Sequence, residues 1–329
     1  MIRLDWDVGT RADWQALLAR ARCGLQQGWS YGEALRMGGV RVAAAILRDR
    51  AGEAVGCLQI ADRRVVGPWG AAFLLRGPVW LGDAPAADLR PLLLDAVGTR
   101  FGRRLLVWAP EEAACGPRRP VITGYSTSWL GLGAGPDALR QRLATDWRQR
   151  LRRAEEGPLA VRQTVDDASI DWLLDCNEAY RRQVGYRGPT RAFLGRLARA
   201  ARAADELLLL LAHRHGDPVA GAMILRHGTS ATYEVGYVTP EGRRLLATHL
   251  LLWRAVEILH AEGACWLDLG GFATDRAPGI ARFKLGLGGE VVTLPGTFLC
   301  GGRTVRSART RSRWPFAAPR AAGPARAGP

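Results

Sequence analysis

Lysine is almost missing from this chain. Of its 46 basic residues, all but Lys284 are arginine. A coding bias toward arginine explains the general replacement, but not the one position that kept an ammonium. No CxxC pair is present, and the six cysteines (Cys23, Cys57, Cys115, Cys176, Cys265 and Cys300) lie 34 or more residues apart. That spacing argues against a zinc site and fits a reducing, cytoplasmic setting. The opening "MIRLDWDVGT" carries two acids and has no apolar stretch, so no signal peptide is expected. The leucine runs "LLLLLA" and "HLLLWRAV" are far too short to span a bilayer, so no transmembrane segment is expected. The motifs GxxxxGK[ST], HExxH and GxSxG do not occur. His213, His215 and His227 fall at the ends of strand-like runs, where a solvated role is the default. Nothing points to a Ser-His-Asp triad. "LGLGAGP" (130–136) lacks the third glycine of a dinucleotide fingerprint, because Pro136 stands in its place, and it reads as a strand-to-helix turn.

A length of 329 residues accommodates one large domain or two ordinary ones, and 48% hydrophobic with 23% charged residues is a soluble globular composition. The net charge is +15, and seven of those charges lie on the acid-free segment 303–329. That segment, rich in Ala, Pro and Gly, is expected to be a disordered basic tail, either simply solvated or an arm for polyanions. The remaining surplus of +8 favours acidic partners such as RNA, nucleotides or anionic head groups. Peripheral membrane contact stays open.

The first half is strand-rich with a helix at each end. Strand-like runs occupy 40–47, 53–61, 73–81 and 104–110, with a helical pattern before the last of these and a further strand at 124–132. Residues 135–157 read as one helix, with Pro and Asp at its start and Gly at its end. Its six arginines make either a basic face or a solvated one. The second half repeats the order: helices at 170–184 and 190–203, strands within 206–238, a helix over 244–263, and a strand "CWLDLGG". This repetition predicts mixed α/β architecture in two tandem domains, 1–155 and 156–302, followed by the tail, with the chain a monomer.

An acyl-CoA transferase needs a glycine-rich turn before a helix, so that backbone N–H groups can hold the pyrophosphate. The equivalent place, "GRRLLATHLL" (242–251), has leucines and Thr248 where those glycines belong. The fold context fits CoA and the cradle does not, so no bound cofactor is expected.

Four stretches carry a family resemblance. The run 231–298, which includes "GIARFKLGLGG", resembles the FemAB/FemX family. "LQQGWSYGEALR" (25–36) is similar to that family's Gln-x-Trp-x-aromatic-Gly motif, "LRGPVW" to its Arg-Gly-Pro element, and "STSWLGLGAGPDALRQRL" to the join into its second domain. The resemblance implies two tandem acyl-CoA N-acyltransferase-like (GNAT-type) domains without a coiled-coil arm. It also implies amide formation by transfer of an amino acid from aminoacyl-tRNA to an amine, typically on a peptidoglycan (cell-wall) precursor such as a nucleotide-sugar or lipid-linked peptide. By the same resemblance, Phe283 and Lys284 belong at the catalytic site. Trp29, Tyr31, Arg36, Arg182, Tyr186, Tyr233 and Gly279 belong at the substrate. Asp268, at a strand end before Gly270 and Gly271, either orients that loop or meets substrate. Ala109-Pro110 replaces the family's Asp-Pro, which leaves the acceptor open. Two other readings stand beside this one: an acyl-CoA-dependent transferase acting on a small amine or amino-sugar, and a non-catalytic binding module.

Overall fold

The computed structural model describes residues 2–7, 10–66, 69–84, 89–102, 104–112, 119–185, 188–272 and 278–301. Tyr186 and the tail 303–329 lie outside the described residues. The chain opens with β1 (Arg3–Trp6), α1 (Arg11–Leu18), α2 (Trp29–Arg36), β2 (Arg41–Arg48), β3 (Ala54–Val66), β4 (Trp69–Leu75) and β5 (Val79–Trp80). Next come α3 (Arg90–Phe101), β6 (Leu105–Ala109), β7 (Ser126–Gly131), α4 (Gly135–Arg142), α5 (Thr145–Glu155) and β8 (Ala160–Thr164). Then follow α6 (Asp167–Gln183), α7 (Arg191–Ala203), β9 (Leu207–Arg214), β10 (Asp217–His227) and β11 (Ser230–Val238). The last elements are α8 (Pro240–Arg244), α9 (Ala247–Ala261), β12 (Trp266–Phe272), α10 (Pro278–Gly286), β13 (Glu290–Thr293) and β14 (Phe298–Cys300). Among the described residues, no helix is long and apolar enough to cross a membrane.

Two mixed seven-stranded sheets organise these elements. The first runs β1-β2-β3-β4-β6-β14 with β5 added beside β3, and the second runs β13-β7-β12-β11-β10-β9-β8. Sheet membership does not change at residue 155. β7 already belongs to the second sheet, and the C-terminal β14 returns to pair with β6 in the first. Helices α4 and α5 likewise pack with the second sheet: Leu139, Trp147 and Leu151 lie in one core with Leu208, Leu210 and Trp253. The single helix expected over 135–157 is two, because Leu143 and Ala144 take extended backbone between α4 and α5. The helix expected over 244–263 begins only at Ala247, because Leu246 adopts a left-handed φ of 58°. Strand β8 was not expected; its one partner strand is β9, which makes it a sheet edge.

The unbroken leucine run of β9 has a simple cause. Leu208 and Leu210 face the core under α4, α5 and α9, while Leu207, Leu209 and Leu211 face the core under α6 and α7. A strand covered on both faces has no solvent side to make polar, so alternation disappears. Each of these fully buried leucines is worth about 2 kcal/mol of transfer free energy. Tyr31 and Ala34 of α2 pack into the α6–α7 core, so the first half of the chain is mortised into the second.

Candidate active site

The geometry that creates a site is a separation of strands. β11 and β12 pair in parallel at Ser230–Trp266, Ala231–Leu267 and Thr232–Asp268, and the ladder stops there. Both strands are irregular at that point. On β11, Tyr233 lies opposite Ile224 and Val235 opposite Met223, so Glu234 is an extra, bulged residue. On β12, the register against β7 shifts between Asp268 and Gly271. A cavity of about 210 Å³ opens where the strands part. Its walls include Gln26, Arg76, Tyr125, Arg181, Glu234 and Lys284. Such a volume takes the reacting ends of two substrates rather than a whole nucleotide.

Lys284 enters from the last turn of α10, and packing fixes that helix. Phe283 sits against His249 (4.9 Å between ring centres) and Trp147 (6.0 Å). The Trp147 indole N–H donates to the Phe283 carbonyl at 3.0 Å. A Cβ on Gly286 would come within 2.8 Å of the Trp147 ring, so only glycine lets the helix end lie this close. With α10 held, the Lys284 Nζ donates to the carbonyls of Gly270 (3.2 Å) and Gly271 (3.0 Å). Burial pulls the amine down to about 8, and the negative charge of Asp268 opposes that shift. An ammonium has three donors, and two carbonyls leave one for a substrate atom.

Asp268, fully buried, organises the loop that supplies those carbonyls. Its Oδ1 accepts from the Thr127 hydroxyl (2.5 Å) and from the Gly270 N–H (2.8 Å), and its Oδ2 accepts from Arg76 Nη1 (2.5 Å). Gly270 needs a left-handed φ of 76° to make this turn. Arg76 spends its other nitrogens on Glu111, at 2.5 Å from both Nε and Nη2. The guanidinium is therefore held well above its ordinary range by the two carboxylates, against a burial that pushes it down. Gly24 leaves room for this side chain, since a Cβ there would lie 2.6 Å from Arg76 Nε.

Of the residues picked out by sequence, the structure brings Lys284, Asp268 and Tyr233 to one cavity. Tyr233 is pushed up to about 12 by burial, and its ring occupies the space that a side chain on Gly236 would need. The others lie elsewhere. Phe283 packs on the far side of α10, against Trp147 and His249. Gly279 is exposed at the start of α10. Tyr31 is buried edge-on against Phe193, 5.3 Å between ring centres. Trp29 packs beside Trp14 and Cys23, and Arg36 pairs with Glu33 and lies over the Trp29 ring. Arg182 is exposed and paired with Glu178, while the neighbouring Arg181 lines the cavity. His227 is also not solvated: it is 1% exposed, bonds Thr232 through Nε2 at 2.9 Å, and is pulled down to about 3 by burial, which keeps it neutral.

Four cavity residues are not singled out by the sequence: Arg76, Glu234, Arg181 and Tyr125. Arg76 was in plain view inside the Arg-Gly-Pro element. Glu234 gave a subtler signal, as the one acid in the apolar run "ATYEVGYV". The Gln27 of the first motif turns out to be a brace: its amide donates to the Leu75 carbonyl (2.7 Å) and accepts from the Gln59 N–H (2.7 Å).

The place where a GNAT-type protein would hold CoA pyrophosphate lies at the start of α9. There Leu246 keeps a left-handed φ of 58° but carries an isobutyl group, and Thr248 follows it. Side chains stand where a phosphate turn presents bare N–H groups, so the residues present do not fit the pyrophosphate. Among the described residues, no group of three or more His, Cys, Asp or Glu could hold a metal ion.

Residues 141–285 match the acetyltransferase (GNAT) domain family. A search of curated protein sequences finds no match. Solved structures are similar over nearly the whole chain. FemX aligns with a TM-score of 0.75 at 15% identity, covering 90% of this chain and 96% of that one. A tandem GNAT protein from the clavulanic acid biosynthesis pathway gives 0.52 at 16%, covering 92% and 100%. The C-terminal domain of a putative lysylphosphatidylglycerol synthetase from Agrobacterium fabrum gives 0.51 at 16%, covering 89% and 93%. These likenesses show that the two mixed sheets form a tandem GNAT-type fold.

Proposed function

We propose that this chain is an N-aminoacyltransferase, which moves an amino acid from aminoacyl-tRNA onto an amine and forms an amide. The observation that carries the reading is the Lys284 ammonium, held by two backbone carbonyls at the edge of a cavity between parting strands. An aminoacyl ester is already activated. Its difficult moment is the negative charge on the tetrahedral intermediate and then on the departing ribose oxygen. A compact ammonium with one donor to spare answers that charge in a partly dehydrated site, whereas a planar guanidinium is built for bidentate partners. This gives the single lysine among 46 basic residues a chemical reason.

Two further features support a tRNA ester over CoA. The α9 turn has leucine and threonine side chains in place of a pyrophosphate cradle. The basic surplus, with exposed Arg148, Arg152 and Arg153 on α5 and Arg243 and Arg244 on α8, suits a phosphate backbone. Among the solved proteins of similar fold, FemX and a lysylphosphatidylglycerol synthetase support aminoacyl transfer as the kind of reaction, while the tandem GNAT protein keeps acyl transfer in general beside it. Arg181 is the wall residue suited to an anionic group of the acceptor, in place of Arg182. The acceptor class is an amine on a peptide, sugar or lipid-linked precursor, met in the cytoplasm.

The test is transfer of label from a pool of aminoacyl-tRNAs, and separately from acetyl-CoA, with a cell extract supplying acceptors. RNase-sensitive transfer that disappears in Lys284→Ala is expected. Transfer from acetyl-CoA alone sinks the tRNA reading and leaves an acyl-CoA transferase. Silence with both donors leaves a binding module.

A further inference from the structure

A buried row of polar side chains lies behind the cavity wall. Cys23, ahead of α2, meets His227 at the end of β10, 204 positions away, with Sγ 3.5 Å from Nδ1. The far nitrogen of the same ring, Nε2, lies 2.9 Å from Thr232 Oγ1. Gly28 permits the approach, since a Cβ there would lie 3.0 Å from the His227 Cβ. Thr232 is the last rung of the β11–β12 ladder, opposite Asp268, and it lines the cavity. The row Cys23–His227–Thr232 therefore runs from the interior to the place where the strands part.

The protons along the row can be assigned. Burial pushes the Cys23 thiol up to about 12, so sulphur keeps its proton. Burial, with Arg76 adding and Asp268 opposing, pulls His227 down to about 3, so the ring is neutral and carries one N–H. That proton sits either on Nδ1, facing sulphur, or on Nε2, facing a hydroxyl oxygen. Sulphur is the weaker acceptor of the two. The Nε2–H tautomer serves both contacts: the thiol donates to Nδ1, and Nε2–H donates to Thr232 Oγ1. The other tautomer puts the ring N–H on sulphur and sends the thiol to the His227 carbonyl, 3.7 Å away.

With its oxygen accepting from His227, the Thr232 hydroxyl has a proton to give, and His227 is its one side-chain partner among the described residues. We propose that Thr232 donates a hydrogen bond to the acyl oxygen of the donor substrate, as a second oxyanion donor beside Lys284. The inference rests on the reading of this cavity as an acyl-transfer site, but not on whether the donor is a tRNA ester or a thioester.

The fold lets two donors meet one oxygen. A Cβ on Gly270 would lie 3.5 Å from Lys284 Nζ and 3.6 Å from the Tyr233 carbonyl, so the strand that carries Thr232 passes the ammonium across this turn. An oxyanion has lone pairs for more than one donor, and each donor fixed in advance costs no reorganisation when the charge appears. Thr232 keeps its proton throughout. A ring that titrates near 3 is too weak a base to turn the hydroxyl into a nucleophile, so no bond to Thr232 forms or breaks.

Nitrogen-15 NMR of the free protein reads the tautomer, with the His227 signals identified as those that shift in Thr232→Val. The wild type should show a neutral ring with the proton on Nε2, unchanged between about pH 5 and 8. Cys23→Ala should mix the two tautomers and Cys23→Ser should restore one, a response that packing alone does not give. In the transfer assay, Thr232→Val, which removes only the hydroxyl, should lower kcat by about 10²-fold with KM nearly unchanged. Thr232→Ser should keep most of the rate, and matching melting temperatures separate a lost donor from a lost fold. An Nδ1–H tautomer in the wild type overturns the proposal, as does a folded Thr232→Val protein that keeps its kcat. A wild-type protein that transfers from neither aminoacyl-tRNA nor acetyl-CoA refutes the acyltransferase reading itself, and shows this without any substitution.

Discussion

Lys284 is protonated over only part of the usual lysine range, and this makes the site testable by pH. With the amine lowered to about 8, the ammonium that stabilises the oxyanion is lost as pH rises through that value. Transfer measured with a neutral acceptor should therefore fall above about pH 8, where an ordinary lysine would hold its charge to 10.5. Lys284→Ala should cost about 10²–10³ in rate, the loss expected for one oxyanion donor. Lys284→Arg should not restore it, because the fork cannot sit on two adjacent carbonyls and still present a single donor. The same burial has a stability consequence of definite sign. Between about 8 and 10.5 the unfolded chain holds the proton that the folded chain has released, so stability rises with pH across this window. Below it the buried charge is a full cost. Lys284→Met should be more stable than wild type by about 1–2 kcal/mol at pH 7, with the gap closing by pH 10.5, as urea melts at several pH values would show.

At the scale of elements, α10 is a carrier whose position depends on ring packing. The family resemblance carries the Phe283-Lys284 pair to the chemistry together, but adjacent residues on a helix point about 100° apart. One therefore faces the cavity and the other the Trp147–His249 cluster. His249 in that cluster is pulled down to about 4 by burial, with Arg150 adding and Asp146 opposing, so it packs there as a neutral ring. Phe283→Ala should remove about 2–3 kcal/mol of packing and loosen the helix end. The rate should then fall by more than the loss of folded protein explains, because a displacement near 1 Å at Lys284 is expensive. Thermal melts and single-turnover rates on the same preparation check the two effects separately.

At the scale of the molecule, one charged cluster ties the sheets together. Arg76 follows β4 of the first sheet and binds Asp268 on β12 of the second, while Glu111 neutralises the remainder of the guanidinium. Arg76 and Asp268 are 6% and 0% exposed, so removing one partner leaves an uncompensated charge out of water. Arg76→Met should destabilise by about 3–5 kcal/mol. It should also release the Gly270 turn that orients Lys284. Chemical denaturation, with limited proteolysis reporting separation of the two layers, measures the first effect; the transfer rate at saturating acceptor reports the second.

Most of the local elements, the α/β order repeated in two halves, the absence of a glycine cradle, and Lys284 as the residue to suspect are all legible in the sequence, although the break at Leu143–Ala144, the late start of α9 and strand β8 are not. The legible features are properties of short windows: hydrophobic period, turn residues, and one unusual side chain. Which residues meet is settled by the folded chain. It moved β7 into the second sheet and β14 into the first, joined Arg76 to a partner 192 positions away, and preferred Arg181 to Arg182 at the cavity. It also turned Glu234 inward through a bulge that depends on register with β10. Register, strand exchange and burial are set by contacts between distant segments. A site made where two strands part has no signature in either strand alone.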